Sequence, residues 1–241
     1  MATLFVSDLH LDDARPHIVE LFERFCAGEA CAADALYVLG DLFEAYVGDD
    51  DDATLNHRVA SALRGVADAG VPVHFIAGNR DFLLSDDFAH RCGMDVLADG
   101  MLVDLYGTPT VILHGDVLCT DDTAYQAFRK QVRDPQWQAA FLARPLGERR
   151  AFAAQARDAS RAHTSSTDMA IMDVNPITVE RALHEAEAAR MIHGHTHRPA
   201  IHDFMLDGKP AQRIVLGDWY KQGSILHVDR DGATLHRKLA S

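Results

Sequence analysis

The sequence predicts an α/β fold: a sandwich of two packed β-sheets flanked by helices, with a helical cap inserted over one end of the strands. Three observations lead to this prediction. Short apolar runs that end in polar residues are typical of strands covered on both faces. Apolar residues at helical spacing separate the first of these runs. A later stretch, 120–175, is rich in helix formers and has almost no strand pattern.

Five apolar runs each lead into a polar cluster, at 3–7, 35–39, 71–77, 110–113 and 189–192. Between the first three runs lie two sets of apolar residues at helical spacing: Ile18, Leu21, Phe22 and Phe25, then Val59, Leu63 and Val66. Strand–helix–strand alternation predicts a layered core with polar residues gathered at the C-terminal ends of the strands. Three later segments, 212–216, 223–228 and 234–239, alternate with turn signals and predict a final antiparallel meander.

Residues 120–175 are predicted to form the cap, inserted into a core made of 1–119 and 176–241. Eight of the chain's 23 basic residues lie in this segment, where they slightly outnumber the acids. The alternative is that the segment is an ordinary helical part of the core. The acidic run 49–52 lacks the spacing of a calcium-binding loop and is predicted to be solvated.

Composition excludes several classes of protein. A net charge of −13 repels nucleic acid at long range, so an anionic substrate needs bound metal ions or clustered arginines. The four cysteines include no Cys-x-x-Cys pair, which argues against a thiolate zinc site and a disulfide framework. Without a signal-peptide pattern or an apolar run of about 18 residues, the chain is expected to be cytoplasmic, with at most peripheral membrane contact.

Seven side chains that follow the predicted strands are candidate ligands of a two-metal centre: Asp8, His10, Asp41, Asn79, His114, His195 and His197. The first two and the last two are pairs separated by one residue, and such pairs point to the same side of an extended chain. The other three follow different strands, whose ends meet if the strands are parallel neighbours. Oxygen and nitrogen donors without sulfur suit Mn²⁺, Fe²⁺ or Zn²⁺. One histidine alone would be unremarkable, but five such motifs in order are improbable by chance.

These motifs resemble those of the calcineurin-like metallophosphoesterase family, whose fold is a β-sandwich flanked by helices. The resemblance implies that one ion is held by Asp8, His10, Asp41 and His197 and the other by Asp41, Asn79, His114 and His195. Asp41 would bridge them, and two ions about 3.5–4 Å apart can activate water and clamp a phosphoryl group. The residues expected to act in catalysis are Asp41, Asn79, Arg80 and His195.

Arg80 departs from the wider family pattern. Many members carry a histidine directly after the metal-binding asparagine, where it can protonate an alkoxide leaving group. Arginine keeps its proton and cannot act as an acid. A permanent cation instead suits a phosphate leaving group, whose second pKa is about 6. Arg80 therefore favours cleavage of a phosphoanhydride over that of an ordinary ester.

A narrower resemblance, to the pyrophosphatases of bacterial lipid A synthesis, covers nearly the whole chain. It rests on residues 7–11, 39–45, 78–84, 114–122, 125–129, 170–175 and 192–200. It implies Mn²⁺-dependent hydrolysis of UDP-2,3-diacylglucosamine to UMP and 2,3-diacylglucosamine 1-phosphate. It also implies peripheral contact with the cytoplasmic face of the inner membrane. Neither nucleic acid nor an obligate protein partner is expected.

The same resemblance implies a set of substrate contacts: Asn79, Arg80, Asp122, Tyr125, Arg157, Ser160, Thr164, Thr167 and His195. Thr164 and Thr167 stand where relatives have an amide and a lysine, so Arg157 or Arg161 would supply part of the phosphate recognition unless both are merely solvated. Some apolar cap residues are expected either to line a groove for acyl chains or to form the cap's own core: Trp137, Phe141, Leu142, Leu146 and Phe152.

Two other functions stay open at this point. A phosphoesterase acting on soluble nucleotides or phosphodiesters would leave the basic, aromatic insertion without a purpose. A scaffold that has lost catalysis usually lacks one or more ligands, whereas all seven are present here.

Overall fold

The computed structural model describes residues 1–166 and 171–236. For residues 162–166 it describes the helical backbone but not the side chains. The strands are β1 (Thr3–Val6), β2 (Ala35–Val38), β3 (Val73–Ile76), β4 (Met94–Leu97), β5 (Met101–Leu105), β6 (Thr108–Ile112), β7 (Arg190–His193), β8 (Ala200–Leu206), β9 (Lys209–Val215), β10 (Ile225–Asp229) and β11 (Gly232–His236). The helices are α1 (Pro16–Ala27), α2 (Thr54–Asp68), α3 (Asp86–Cys92), α4 (Thr123–Val132), α5 (Pro135–Leu142), α6 (Leu146–Ser166) and α7 (Pro176–Glu185).

The strands form two mixed sheets. The first has the order β11-β10-β1-β2-β3-β4, and its strands β1 to β4 are parallel. The second has the order β5-β6-β7-β9-β8, with parallel strands β6, β7 and β9 between two antiparallel edges. The C-terminal ends of the parallel strands within each sheet therefore lie at one edge of that sheet.

Successive side chains of a strand pack on opposite faces of its sheet, one toward the helices and one toward the other sheet. In β1, Leu4 and Val6 pack with the apolar faces of α1, α2 and α3, whereas Phe5 packs with residues of the second sheet such as Ile192. Helix α7 covers the far side of the second sheet through residues such as Leu183. This helix–sheet–sheet–helix order confirms the predicted sandwich.

The predicted final meander is wrong. Strand β9 belongs to the second sheet, while β10 and β11 form a hairpin in the first. The chain crosses between the sheets through residues 216–224, where Trp219 is fully buried and its backbone N–H donates to the carbonyl of Asp8 at 3.0 Å. This crossing brings the segment after β9 against the end of β1.

The connection from β6 to β7 carries helices α4 to α7. The division of the chain into core and cap remains a prediction. Among the described residues, no helix is long and apolar enough to cross a bilayer.

The acidic run 49–52 is only partly the solvated loop that was predicted: Asp50 and Asp52 are exposed, whereas Asp49 is half-buried and Asp51 is buried. Asp49 accepts hydrogen bonds from the backbone N–H groups of Ser85 and Phe88, at the start of α3. Asp50 pairs with the guanidinium of Arg149, and Asp51 pairs with Arg150 at 2.6 Å. The run therefore joins the loop after β2 to α3 and to α6. The partners in α6 lie 99 residues away in sequence, which explains why the local pattern did not indicate them.

Candidate metal centre

Four of the seven predicted ligands converge at the end of β1. His10 Nε2 lies 3.2 Å from His197 Nε2, 4.0 Å from Asp8 Oδ1 and 3.8 Å from Asp41 Oδ2. His197 Nε2 is 3.3 Å from Asp8 Oδ1. The donor atoms of Asp8, His10 and His197 all lie within 4.8 Å of one another, which is the geometry of a possible ion site, and Asp41 Oδ2 lies beside His10.

The other predicted ligands form a second group beside the first. The carbonyl oxygen of the Asn79 side chain lies 3.0 Å from His114 Nε2 and 2.9 Å from His195 Nδ1. His114 Nε2 is 3.7 Å from Asp41 Oδ1. His114 Nδ1 donates to the carbonyl of Leu39 at 2.8 Å, so the lone pair of its ring lies on Nε2, toward the group.

Asp41 therefore presents one carboxylate oxygen to each group. Its position depends on the buried carboxylate of Asp81, which accepts hydrogen bonds from the backbone N–H groups of Asp41, Leu42 and Gly78. A Cβ atom at Gly78 would overlap the Asp41 carboxylate, so only glycine fits there. Asp81 lies in the segment 78–84 that carries part of the family resemblance, but the sequence pattern did not predict that its carboxylate would hold Asp41.

The backbone at the candidate centre is strained. Eight non-glycine residues have positive φ in the described part of the chain, and five of them are predicted ligands: Asp8, His10, Asp41, His195 and His197. Each such conformation costs on the order of 1–3 kcal/mol and tends to occur at functional sites. This strain turns successive side chains toward the two groups.

The buried charges at the centre are poorly balanced by protein alone. Burial opposes ionisation of Asp41 and raises its pKa to about 7. Burial lowers the pKa of His195 to about 4. For His114 burial also acts to lower the pKa, but the carboxylates of Asp41 and Asp8 outweigh it and raise the pKa to about 9. In the protein alone, protons therefore occupy buried positions on Asp41 and His114 that a bound metal cation would be expected to take.

The donors fit a pair of divalent cations. Asp8 Oδ2 accepts from Ser7 Oγ and from the backbone N–H of His195, whereas Asp8 Oδ1 is buried with no hydrogen-bond partner and faces the first group. Leaving a buried carboxylate oxygen without a partner is costly unless a cation compensates it. The assignment of individual ligands to two ions remains a prediction.

A further layer of residues, which sequence reasoning missed, surrounds the first group. Glu44 Oε2 lies 3.5 Å from His10 Nδ1, and Asp218 Oδ2 lies 3.9 Å from His197 Nδ1. Tyr220 stacks on the His10 ring with centroids 4.9 Å apart. Carboxylates behind the outer ring nitrogens are the usual way to orient ligating histidines. Only the assembled fold reveals these contacts, because they come from separate loops.

The predicted substrate contacts fall partly in one cavity beside the second group. This cavity of about 290 Å³ is lined by Asn79, Arg80, Tyr125, Arg157 and Ser160 among others. Asp122 is instead buried at the N-cap of α4, where it accepts from the backbone N–H of Tyr125. Thr167 and the side chain of Thr164 lie outside the described residues.

The apolar wall of the cavity comes from the loops after β2 and β3 and from helices α4, α5 and α6. Trp137, Phe141 and Phe152 line it: Trp137 stacks on Phe141, and the ring of Phe152 meets both at a steep angle. Leu142 is 38% exposed, and neither it nor Leu146 lines the cavity. The expectation of an apolar groove therefore holds for three of the five named residues.

Residues 1–199 match the family model described as calcineurin-like phosphoesterase. The curated UDP-2,3-diacylglucosamine hydrolase of Xanthomonas axonopodis pv. citri (strain 306) is 55% identical over 98% of this chain and 99% of that protein. The protein of the same name from Stenotrophomonas maltophilia (strain K279a) is 52% identical over 98% of each chain. A solved archaeal phosphodiesterase is 14% identical over 98% of this chain and 99% of that one, with a TM-score of 0.50. That structural likeness concerns the fold alone.

Proposed function

Because the chain belongs to the calcineurin-like phosphoesterase family, we propose that it hydrolyses the pyrophosphate bond of UDP-2,3-diacylglucosamine. The products are UMP and 2,3-diacylglucosamine 1-phosphate, and the reaction is a step of lipid A synthesis. The observation that carries the proposal is the 55% identity to a hydrolase of that name, which extends over 98% of this chain. The matched length includes the helices between β6 and β7, which line the cavity.

The metal dependence of the proposed reaction follows from the donor set. When bound, a pair of divalent ions, which we propose to be Mn²⁺, activates water and neutralises charge on phosphoryl oxygens. Asp41 presents one carboxylate oxygen to each group of donors and so links the two groups. Its own orientation is fixed by the backbone N–H of Arg80, which donates to Asp41 Oδ1 at 2.8 Å.

We propose that Arg80 stabilises the phosphate that leaves. Its Nη2 lies 3.4 Å from Ser160 Oγ, and its Nε is buried with no hydrogen-bond partner. Arg157 also carries a buried Nε without a partner and lines the same cavity. Each guanidinium thus has one donor free for a pyrophosphate oxygen, although Arg157 Nη1 also lies 3.7 Å from Asp12 Oδ2, and neither group can act as a general acid.

The apolar part of the cavity is suited to acyl chains. The aromatic rings of Trp137, Phe141 and Phe152 form one wall, and Phe82 and Phe128 also line the cavity. Each buried methylene contributes about 0.8 kcal/mol, so the affinity for substrate should rise with the length of acyl chain that the cavity covers. The headgroup would then lie between this wall and the donors of the metal centre.

We also propose that the protein contacts the cytoplasmic face of the inner membrane peripherally. A diacyl substrate resides in a bilayer, and Phe128 and Leu142, on α4 and α5, are exposed apolar side chains. The net charge of −13 opposes strong binding to anionic lipid, so the contact is expected to be brief and reversible.

The direct test is release of UMP from detergent-dispersed UDP-2,3-diacylglucosamine by the purified chain with Mn²⁺. We expect equimolar UMP and acylated sugar phosphate, and no turnover after chelation. UDP-N-acetylglucosamine, which lacks the two long acyl chains, should be cleaved far more slowly. Failure to release UMP from the lipid in the presence of Mn²⁺ would refute the proposal. Preferential turnover of cyclic AMP or bis(p-nitrophenyl) phosphate would favour a soluble substrate instead.

A further inference from the structure

One face of α4 is turned toward the loops that carry the candidate ligands. Tyr125 and Arg129 lie on this face, and Arg133, the C-cap residue, continues it at the next turn. Residues four apart are neighbours on a helix surface, so the three side chains form one row. Each of them bonds to a loop that follows β3 or β6.

Arg133 holds the loop after β3. Its Nη2 donates to the carbonyls of Ala77 and Gly78 at 3.0 and 2.8 Å, and its guanidinium lies 5.7 Å from the ring centroid of Phe82. The two carbonyls belong to the residues directly before Asn79. This side chain is only 23% exposed, so the bonds form in a partly desolvated place where they are stronger than at a surface.

Arg129 holds the loop after β6. Its Nε donates to Asp116 Oδ2 at 2.8 Å, and its Nη2 donates to Asp99 Oδ2 at 2.9 Å. Asp99 Oδ1 in turn accepts the backbone N–H of His114 at 3.2 Å. Asp116 is fully buried and also accepts from the hydroxyl of Tyr125 at 2.8 Å. The backbone at His114 is thus tied to α4 through two carboxylates.

We propose that Arg129 and Arg133 are positioning residues of the metal centre, which fix His114 and Asn79 from helix α4. The inference rests on the proposed centre, in which these two ligands hold the same ion. Within the described residues, no hydrogen bond or ion pair joins α4 to Asp8, His10 or His197. The helix therefore acts directly on ligands of one ion site and on the substrate cavity, and reaches the other ion site only indirectly, through the shared ligand Asp41.

The test compares Arg133→Gln and Arg129→Gln with Lys130→Gln, which alters an exposed residue of the same helix. Mn²⁺ binding is followed by calorimetry and by electron paramagnetic resonance. We expect wild type and Lys130→Gln to bind two ions with a spin-coupled spectrum. In the two arginine variants, affinity for one ion should fall by about 10–100-fold, the usual effect of losing an outer-layer partner. The spectrum should then be that of an isolated ion.

Arg133→Lys serves as a second variant because it keeps the charge but not the forked geometry that reaches two carbonyls. It should restore the affinity only in part. Wild-type affinity for both ions in the glutamine variants would overturn the inference. So would an equal loss at both sites together with a lower melting temperature of the metal-free protein, since that pattern means general destabilisation. If wild type itself bound fewer than two ions, the proposed centre would fall as well, which separates the two failures.

Discussion

At the scale of single residues, Arg80 links the candidate ligands to the cavity. Its backbone orients the Asp41 carboxylate, while its guanidinium reaches the cavity and contacts Ser160. One residue thus connects the candidate ligands to the place where the leaving phosphate would lie. The guanidinium remains protonated throughout, so its contribution is electrostatic.

Replacing Arg80 with glutamine should lower kcat for the pyrophosphate substrate by about 10²–10³-fold, the range for losing a donor aimed at developing charge. Mn²⁺ affinity should stay close to that of wild type, because the backbone N–H that bonds to Asp41 is retained. Steady-state kinetics with saturating Mn²⁺ measures the effect. The exposed residue Arg144, changed to glutamine, is the matched control. Unchanged kcat in Arg80→Gln would contradict a role in stabilising the leaving group.

Residue patterns predicted the seven candidate ligands because each follows an apolar run, and the structure brings all seven into two adjacent groups. They did not predict the residues behind them. Glu44, Asp99 and Asp218 have ordinary neighbours in sequence, and their relation to the histidines arises only from tertiary folding. A local sequence pattern predicts which polar side chains follow a strand. It does not predict which side chains of other loops will contact them in the folded chain.

At the scale of elements, the strands that escaped prediction are all at sheet edges. β4 is one edge of the first sheet, and β5 and β8 are the edges of the second. Their side chains are largely exposed, as in β8, where only three of seven are even partly covered. The central strands were predicted from continuous apolar runs, which occur when both faces of a strand are buried. An edge strand that is exposed on one face lacks such a run. The error in the final meander has a related cause, because a strand pattern does not tell which sheet the strand joins.

Helix α6 is anchored to the loop after β2 through Arg149. This side chain is 2% exposed and donates to Asp50, to the carbonyl of Val47 and to the carbonyl of Arg144. Arg150 makes a similar ion pair with Asp51 but is 51% exposed. The two neighbouring arginines therefore provide a comparison between a buried and an exposed anchor of the same helix.

Changing Arg149 to glutamine should lower the free energy of unfolding by about 1–3 kcal/mol, because the carbonyls it satisfies lose their donor in a buried place. Urea unfolding measures this change. Arg150→Gln, the control, should unfold close to wild type, since exposed ion pairs add little. Equal urea midpoints for the two variants would show that the burial of Arg149 does not increase its contribution to stability.

At the scale of the whole molecule, the candidate centre joins the two sheets. Asp8, Asp41 and Asn79 follow strands of the first sheet, and His114 and His195 follow strands of the second. Divalent ions bound there would link the layers at one edge of the sandwich. Binding energy of this kind adds to the stability of the folded state.

Removal of divalent ions by chelation should therefore lower the melting temperature. At a free Mn²⁺ concentration 100-fold above Kd, one ion contributes about 2.7 kcal/mol, which corresponds to roughly 5–10 °C for a chain of this size. Differential scanning calorimetry with and without Mn²⁺ measures the shift. Asp41→Ala should melt at nearly the same temperature in both conditions. A shift as large in Asp41→Ala as in wild type would mean that the ions bind elsewhere.

The chain leaves the second sheet at the end of β6 and returns to it in the adjacent strand β7, with four helices in between. Such a connection can be lengthened or exchanged without altering the pairing of either strand. Specificity for new substrates could thus evolve on an unchanged reaction centre by replacement of the segment between β6 and β7. Two contacts limit that freedom. A replacement of α4 must still present donors to the loops before Asn79 and around His114, and a replacement of α6 must still supply the donors that Arg149 gives to the loop after β2.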